Sequence, residues 1–184
     1  MRVVAGKARR LLLKTPRGEN TRPTSDRIKE TLFNMLQPYV AGSVFLDLFA
    51  GSGQMGIEAL SRGAKKAVFV DSDKEALRCI RDNLMHTRLA PFSGIFDGDA
   101  FNALRRMSGK EQFDIVFMDP PYMTDYVENA LSLLLKYNLI TSESLIIAEA
   151  PIDKDFSFAL GLGYEIIEEK EYKTNKHVFL KTGG

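Results

Sequence analysis

Short apolar runs alternate with helix-like segments through the middle of the chain, and this alternation limits the fold more than any other feature. The predicted strands are Ser43–Leu48, Lys66–Asp71, Gly94–Asp97, Phe113–Asp119 and Ser144–Ala150. The predicted helices are Gln54–Arg62, a segment capped by Asp73 that runs to about Met85, Ala100–Met107, and a segment capped by Asp125 that runs to about Leu135. Apolar strands separated by helices form a parallel sheet that is covered by helices on both faces.

The C-terminal tail has a different pattern. Tyr164–Tyr172 and His177–Leu180 resemble two strands that are joined directly by the turn at 173–176. Directly joined strands pair in an antiparallel manner. The sequence therefore predicts an α/β fold with a mostly parallel seven-stranded sheet and an antiparallel hairpin at its C-terminal end.

Residues 1–23 form a predicted basic arm, and residues 24–184 form the predicted domain. Residues 1–30 contain nine basic and three acidic residues, a net charge of +6, whereas the remaining 154 residues contain 16 basic and 21 acidic residues. The arm contains two possible short strands, Arg2–Val4 and Leu11–Lys14, and we expect it to be an appendage that the domain does not need for folding. Such a charge distribution predicts a polyanionic partner. The alternative is a solvated basic tail.

The first helix of the domain is predicted to begin at a Thr24 or Ser25 cap and to end before Pro38. Its apolar face is expected to contain Ile28, Leu32, Met35 and Leu36. Arg27 and Lys29 lie on the same helix, and we expect them to hold phosphates, or one of them to contact a cofactor carboxylate.

Several classes of protein are excluded by what the chain lacks. The lone Cys79 excludes an internal disulfide framework and a Cys-rich zinc site, and His86 and His177 lie far apart. We therefore predict no metal. The sequence has no apolar run near the ~18 residues that a membrane span needs, and no apolar signal core follows the basic N-terminus. We expect a cytoplasmic monomer.

A glycine-rich turn follows the first predicted strand. Gly51, Gly53 and Gly56 form the pattern Gly-x-Gly-x-x-Gly between a strand and a helix, and Asp71 ends the next strand 20 residues after Gly51. This context predicts a nucleotide-type cofactor whose ribose is bound by the acidic residue. The alternative is a tight turn without a ligand.

Three aspartates indicate which cofactor this is. Asp47, Asp71 and Asp99 follow neighbouring strands, and like charges at ~4 Å cost several kcal/mol at an effective dielectric constant near 20. They disfavour a pyrophosphate and favour S-adenosylmethionine, which carries an ammonium, a sulfonium, ribose hydroxyls and an adenine amine. We expect Asp71 to bind the ribose, Asp99 the adenine amine and Asp47 the cationic end. The other predicted cofactor-binding residues are Phe49, Gly51, Gly53, Ser72 and Ala100. The alternative for each aspartate is helix capping.

The fourth predicted strand ends in Asp119-Pro120-Pro121-Tyr122, the most specific motif in the chain. Two consecutive prolines form a rigid extended segment. This segment can hold the Asp119 carboxylate and the Pro120 carbonyl as two acceptors for the two hydrogens of an exocyclic amine, while the Tyr122 ring stacks on a base. The motif predicts an amine-methylation site. The alternative is a proline-rich loop with a buried tyrosine.

With these motifs, the chain resembles the Rossmann-like class I methyltransferases, and in particular the RsmD-type 16S ribosomal RNA guanine-N2 methyltransferases. The matching segments are Arg2-Val-Val-Ala-Gly-Lys-Ala-Arg9, Arg22-Pro-Thr-Ser-Asp-Arg27 with its continuation to Asn34, Asp47-Leu-Phe-Ala-Gly-Ser-Gly53 and Asp119-Pro-Pro-Tyr122. The resemblance implies methyl transfer from S-adenosylmethionine to N2 of one guanine in 16S rRNA or in the small ribosomal subunit. We expect the RNA to be bound by Arg9, Arg10, Arg17, Arg22, Thr24 and Arg27.

Two other functions remain open from the residues alone. One is methylation of DNA adenine or of a protein glutamine, although Asp rather than Asn in the Asp119 motif argues against it. The other is a non-catalytic RNA-binding assembly factor that keeps the fold, and the intact motif argues against this as well.

Overall fold

A seven-stranded sheet forms the centre of the molecule. The computed structural model describes residues 1–16, 26–121 and 125–183. The strand order is β3-β2-β1-β4-β5-β7-β6; β1 to β5 pair in parallel, and β7 is antiparallel to both β5 and β6. The strands are β1 (Val44–Asp47), β2 (Lys66–Asp71), β3 (Ser93–Asp97), β4 (Ile115–Met118), β5 (Leu145–Pro151), β6 (Tyr164–Glu171) and β7 (Asn175–Thr182). The predicted fold class is confirmed.

Helices cover both faces of the sheet. They are α1 (Asp26–Val40), α2 (Gln54–Ser61), α3 (Lys74–Thr87), α4 (Ala100–Met107), α5 (Tyr126–Lys136) and α6 (Phe158–Gly161). Successive strand residues point to opposite faces, so two hydrophobic cores form. Phe45, Phe117 and Ile147 lie in the core under α1, α2 and α3, whereas Leu46 and Val116 lie in the core under α4 and α5.

The end of the first helix differs from the prediction. Helix α1 includes Pro38 and ends at Val40, which is buried on the same face as Phe33 and Leu36. A proline removes one helical hydrogen bond. The burial of Val40 offsets this loss, so the helix continues for two residues beyond the proline.

Two short elements and several element boundaries also differ. The last strand, for example, is Asn175–Thr182, whereas the sequence predicted His177–Leu180. The sequence did not predict α6 or the 3-10 turn at Ala90–Phe92, because neither is long enough to show a helical period. The predicted fourth strand extended over Phe113–Asp119, but β4 covers only Ile115–Met118. Asp119 therefore lies just after the strand, where its backbone leads directly into Pro120.

The described part of the arm, residues 1–16, packs against the domain rather than extending from it as we expected. Val3, Ala8 and Leu13 are buried in the core under α1, α2 and α3. An antiparallel bridge joins Arg2 to Leu12, so the arm closes on itself as a small hairpin. Gly6 has φ +82°, and a Cβ there would lie 1.9 Å from a backbone oxygen of α2. No other residue fits this close approach.

A buried charged cluster fixes the arm to helix α2. The Glu58 carboxylate accepts hydrogen bonds from the backbone N–H groups of Val4 (2.8 Å) and Ala5 (3.0 Å), and from Arg62 Nε (2.8 Å). Lys29 Nζ donates to the Arg2 carbonyl at 2.5 Å and lies 3.7 Å from Glu58. We call Lys29, Glu58 and Arg62 the Glu58 cluster.

The position of Lys29 corrects one prediction. Its side chain is 0% exposed, and burial lowers its pKa although the Glu58 charge opposes that change. Lys29 therefore cannot reach RNA phosphate or a cofactor, and its role is to hold the arm. A lysine on the apolar face of a helix is the sequence signal for such a role.

Candidate active site

Asp47, Asp71 and Asp119 meet at one edge of the sheet. Asp47 ends β1, Asp71 ends β2 and Asp119 follows β4, and β1 lies between the other two strands. The carboxyl ends of parallel strands form the ligand-binding edge in folds of this type. The sheet order therefore brings together three acidic residues that are separated by up to 72 positions in the chain.

Asp47 is a buried acid at the N-terminus of a helix. Its side chain is almost fully buried and accepts a hydrogen bond from Gly56 N–H in the first turn of α2, at 3.0 Å. Burial, and to a smaller extent the charges of Asp71 and Asp119, raise the pKa of Asp47 to about 8 against the effect of this hydrogen bond. This carboxyl group caps the helix, as the alternative interpretation held, and it also lies in a field of excess negative charge.

Asp71 holds the glycine-rich turn in place. One carboxylate oxygen accepts a hydrogen bond from Gly51 N–H at 2.8 Å, and the other accepts from Asp73 N–H at 2.9 Å. Asp73 itself caps α3 by accepting from two backbone N–H groups. Asp71 keeps lone pairs for further donors, since an ionised carboxylate has about four acceptor positions. Ser72 lies between the two aspartates and is exposed.

The three glycines of the turn have different functions. Gly51 and Gly53 adopt φ +53° and φ +77°, and the space that a side chain on Gly51 would occupy is open. At Gly56, a Cβ would lie 2.3 Å from the Phe69 ring of β2. The first two glycines therefore shape an open turn, and the third lets helix α2 approach the sheet closely.

The predicted adenine side of the site contains two aromatic rings, Phe101 and Tyr126, that the sequence analysis missed. Asp99 is exposed and caps α4 through a hydrogen bond from Asn102 N–H at 2.9 Å, and Ala100 is buried. Phe49 makes an edge contact with Tyr126 at 5.7 Å, and Phe101 stacks on the same tyrosine at 5.5 Å, both between ring centroids. Phe49 connects the glycine-rich turn to these rings. Aromatic residues directly after a cap are the signal that could have identified them.

Only part of the Asp119 motif lies among the described residues. Asp119 is half-buried, Pro120 is buried and Pro121 is exposed. Tyr122 falls in the segment 122–124, outside the described residues, so its stacking role stays a prediction. Asp119 lies close enough to Asp47 for its charge to raise the pKa of that group. The Asp119 motif therefore lies near Asp47, one of the carboxylates predicted to bind the cofactor.

A polar network that the sequence analysis missed lies on the next two strands. Glu149 on β5 is 8% exposed, and His177 on β7 is fully buried. His177 Nε2 lies 3.2 Å from one Glu149 oxygen, Asn175 Nδ2 donates to the other at 2.5 Å, and the Tyr172 hydroxyl lies 3.2 Å from His177 Nδ1. A glutamate inside the apolar run Leu145–Ala150 was the available signal.

The predicted RNA-binding residues are divided between the surface and the undescribed segment. Arg9, Arg10 and Arg27 are exposed. Arg17, Arg22 and Thr24 lie within 17–25, outside the described residues, so these three assignments stay predictions. Arg10 has φ +72°, so it lies in the tight turn of the arm. The described part of the arm thus presents adjacent arginines on a rigid hairpin.

The carboxylate edge, as we call the sheet edge that carries Asp47, Asp71 and Asp119, fits a cationic ligand. Within residues 1–16, 26–121 and 125–183, no salt bridge joins Asp47 or Asp71 to a basic side chain. Buried charges in proteins are normally paired. This edge carries several carboxylates, the pKa of Asp47 is raised, and the space beside Gly51 is open. It is therefore suited to a ligand that carries positive charge and several hydrogen-bond donors.

Comparison with known proteins identifies the family. The family model described as Conserved hypothetical protein 95 matches residues 1–181. A protein of Haemophilus influenzae named Ribosomal RNA small subunit methyltransferase D is 39% identical over 155 residues, which cover 84% of this chain and 80% of that protein. The chain belongs to the Conserved hypothetical protein 95 family. It is a methyltransferase, and the predictions of the family and of an enzyme are confirmed.

Other relatives agree with this assignment. The protein of the same name from Escherichia coli K12 is 34% identical over 153 residues, which cover 83% of this chain and 76% of that protein. A solved structure from Thermus thermophilus, hypothetical protein TTHA0928, superposes with a TM-score of 0.84 at 30% identity and covers 99% of both chains. This chain and that structure therefore share one fold over almost their whole lengths.

The described residues contain neither a candidate membrane-spanning helix nor a candidate metal site. No helix among them is both long and apolar enough to cross a membrane. Within the same part of the chain, no group of three or more His, Cys, Asp or Glu side chains is arranged to hold a metal ion.

Proposed function

We propose that this methyltransferase transfers a methyl group from S-adenosylmethionine to the exocyclic N2 of one guanine in 16S ribosomal RNA. The observation that carries the proposal is the position of the Asp119-Pro120 acceptors directly beside the carboxylate edge of β1 and β2. A cationic cofactor and an amine acceptor thereby have adjoining places in one site.

S-adenosylmethionine is the cofactor, and the chain's own residues account for its binding. Asp71 accepts hydrogen bonds from the ribose hydroxyls, Asp99 accepts from the adenine amine, and Asp47 offsets the positive charge of the methionine end. Phe49, Gly51, Gly53, Ser72 and Ala100 complete the binding surface. When bound, the cofactor supplies a methyl group that its sulfonium makes electrophilic.

Asp119 and Pro120 prepare the acceptor. The Asp119 carboxylate and the Pro120 carbonyl accept the two N2 hydrogens of guanine, which orients the nitrogen lone pair toward the methyl donor. The guanine amine is a weak nucleophile because its lone pair is delocalised into the ring. The two acceptors stabilise the positive charge that develops on nitrogen, and preorganised charges of this kind contribute much of the rate in many enzymes. As the bond from N2 to the methyl group forms, the bond from that methyl group to sulfur would break and release neutral S-adenosylhomocysteine, and one N2 proton would pass to Asp119 or to water.

The remaining residues position the RNA. Arg9 and Arg10 on the rigid hairpin, and Arg27 on α1, contact phosphates, together with Arg17, Arg22 and Thr24. Such contacts fix orientation without reading sequence. The 16S specificity is supported by the names of the relatives in H. influenzae and E. coli, both of which refer to the small ribosomal subunit. The enzyme acts as a monomer in the cytoplasm, where that RNA is located.

Radiolabelled methyl transfer tests the proposal. Purified protein and labelled S-adenosylmethionine are incubated with 16S rRNA, small subunits, DNA or ribosomal protein, and the labelled RNA is digested to nucleosides. We expect label in N2-methylguanosine alone, and loss of that label in Asp119→Asn. The matched control is Glu143→Gln, which removes a charge from the opposite edge of the sheet, before β5. Label in N6-methyladenine or in protein would replace the proposal with one of the rival activities, and no label in any substrate would favour the assembly factor.

A further inference from the structure

The Glu149 network, which consists of Glu149, Tyr172, Asn175 and His177, lies immediately beside the Asp119 motif. Strands β4 and β5 pair in parallel, and their last paired residues are Met118 and Ala148. One residue further along both strands are Asp119 and Glu149. On β7, His177 is the direct partner of Glu149. Since neighbouring strands lie ~4.8 Å apart, these three residues form a row across the carboxyl edge of the sheet.

The side chains of this row share one face. Phe117, Ile147 and Phe179 belong to the core under α1, α2 and α3, and the residues two positions from each along the strand point to the same face. The His177 ring confirms this because it contacts Phe117, with 6.0 Å between the ring centroids. Asp119 lies one residue beyond β4, and its charge acts on Asp47, which lies two positions from Phe45 of the same core. Glu149 and Asp119 therefore border the same side of the sheet.

The network fixes the Glu149 carboxylate as an acceptor. A carboxylate only accepts, so His177 donates to Glu149 through Nε2, while Asn175 donates to the other oxygen. In neutral imidazole Nδ1 then accepts from the Tyr172 hydroxyl, whose pKa burial and the Glu149 charge together raise to about 12. Two of about four acceptor positions are used. The side chain is 7% exposed, which leaves a small accessible part.

We propose that Glu149 accepts the N1–H of the target guanine and is the residue that selects guanine over other bases. This inference rests on the proposed function. On guanine, the N1–H lies next to the N2 amine, so two adjacent carboxylates, Asp119 and Glu149, match two adjacent donors. Adenine N1 and cytosine N3 have no hydrogen and present a lone pair, which an ionised carboxylate repels. His177 and Asn175 are positioning residues that keep the carboxylate oriented.

A base analogue tests this role. 2,6-Diaminopurine keeps the N2 amine but has an unprotonated N1, and it is placed at the methylated nucleotide of a 16S rRNA fragment. We expect the wild-type enzyme to prefer guanine by roughly 10- to 100-fold in kcat/KM, the range that base-edge hydrogen bonds support. In Glu149→Gln the amide can donate to the unprotonated N1, so this preference should shrink by at least about tenfold. Glu143→Gln should keep the wild-type preference.

The outcomes separate this inference from the proposed function. A wild-type enzyme that methylates N2 of guanine but uses both bases equally would overturn the role of Glu149 alone, and this result needs no variant. A Glu149→Gln enzyme that loses rate equally on both bases would also overturn it, because a purely structural residue does not alter the ratio. If Glu149→Gln does not fold, Glu149→Asp replaces it. That variant withdraws the carboxylate from N1–H by one methylene, so the rate on guanine should fall more than the rate on 2,6-diaminopurine. An equal loss on both bases would contradict the role. If the wild type methylates no guanine N2, the proposed function itself has failed.

Discussion

Two regions of the molecule contain buried carboxylates, and they differ in what neutralises them. In the Glu58 cluster, a fully buried glutamate has Arg62 at 2.8 Å, Lys29 at 3.7 Å and two backbone N–H donors. At the carboxylate edge, Asp47 is as deeply buried but has one backbone donor and the charges of Asp71 and Asp119 nearby. The fold supplies the counter-charges in the first region. In the second, Asp47 holds a proton instead of a counter-charge until a cationic ligand binds, and this difference separates a structural charge from a functional one.

The largest effect is expected from Asp119→Ala, which removes a hydrogen-bond acceptor from the carboxylate edge. Turnover should fall about 10²- to 10³-fold, the loss typical of removing one preorganised group that stabilises transition-state charge. Affinity for S-adenosylmethionine should stay nearly unchanged, because the partner of Asp119 is the acceptor amine. Single-turnover methylation and calorimetric binding measure the two quantities. A parallel collapse of cofactor affinity would move Asp119 to the cofactor side.

Glu58→Gln tests whether the Glu58 cluster has the structural role that the comparison assigns to it. It leaves Lys29 and Arg62 buried without their counter-charge, and breaking a buried ion pair in this way costs about 3–5 kcal/mol of unfolding free energy. Urea unfolding measures the loss, with Glu143→Gln as the control. A loss below about 1 kcal/mol, the range of surface pairs, would mean that the cluster does not hold the arm.

Asp71→Asn should weaken cofactor binding by about 1.5–3 kcal/mol, since it removes charge from hydrogen bonds to the ribose. Asp73→Asn is a matched control two residues away, because asparagine caps a helix as well as aspartate does. Calorimetric titration of both variants decides the role of Asp71. If the two variants bind equally well, Asp71 acts only as a support for the glycine-rich turn.

Asp47 predicts a pH dependence of cofactor binding. Its pKa of about 8 means that the group is mostly protonated at neutral pH in the free protein, and a bound cation lowers that pKa. Binding should therefore release a proton, and affinity should rise with pH up to about 8. Titrations in buffers of different ionisation enthalpy count the protons. Asp47→Asn should remove both effects, and a variant with unchanged proton release would exclude Asp47 as the source.

The same raised pKa sets the sign of a stability effect. Between pH 4 and pH 8 the folded protein holds a proton on Asp47 that the unfolded chain has lost, so the contribution of this group to stability falls as pH rises through this range. Urea unfolding across that range should show a steeper fall for the wild type than for Asp47→Asn. Identical slopes would contradict the assigned pKa.

The smallest effect is expected at the arm surface. Replacing Arg9 and Arg10 by glutamine should reduce the slope of log affinity for rRNA against log salt by about 0.7–0.9 per lost phosphate contact. Deletion of the arm is not a clean test, because Val3, Ala8 and Leu13 are part of the core. Filter binding at several salt concentrations measures the slope. An unchanged slope would show that these arginines form only a solvated surface.

The sequence predicted the fold because its signals were local. The bounds of β2 and α4 agree with the prediction at both ends, since apolar runs and caps mark them. The placement of the arm depended on Glu58 and Ser61 of α2, which lie more than 50 residues from their partners. No local pattern shows such a contact, so the arm was misinterpreted as an appendage.

The site residues also fall into two groups, those that a local sequence pattern shows and those that only the sheet pairing shows. Asp47, Asp71 and Asp119 were identifiable because each follows a strand and the edge of a parallel sheet collects such residues. Glu149 and His177 were not, because their meaning comes from the pairing of β5 with β7. A glutamate in an apolar strand and a histidine in a hairpin acquire chemical significance only when the sheet order places them beside Asp119.

Nucleoside mass spectrometry of 16S rRNA tests the central claim most directly. RNA from cells that lack the gene is compared with RNA from the parent and from cells complemented with wild type or Asp119→Ala. We predict the loss of one N2-methylguanosine in the deletion strain, its return with the wild-type gene, and no return with the variant. A deletion strain that keeps every N2-methylguanosine of its 16S rRNA would contradict the account.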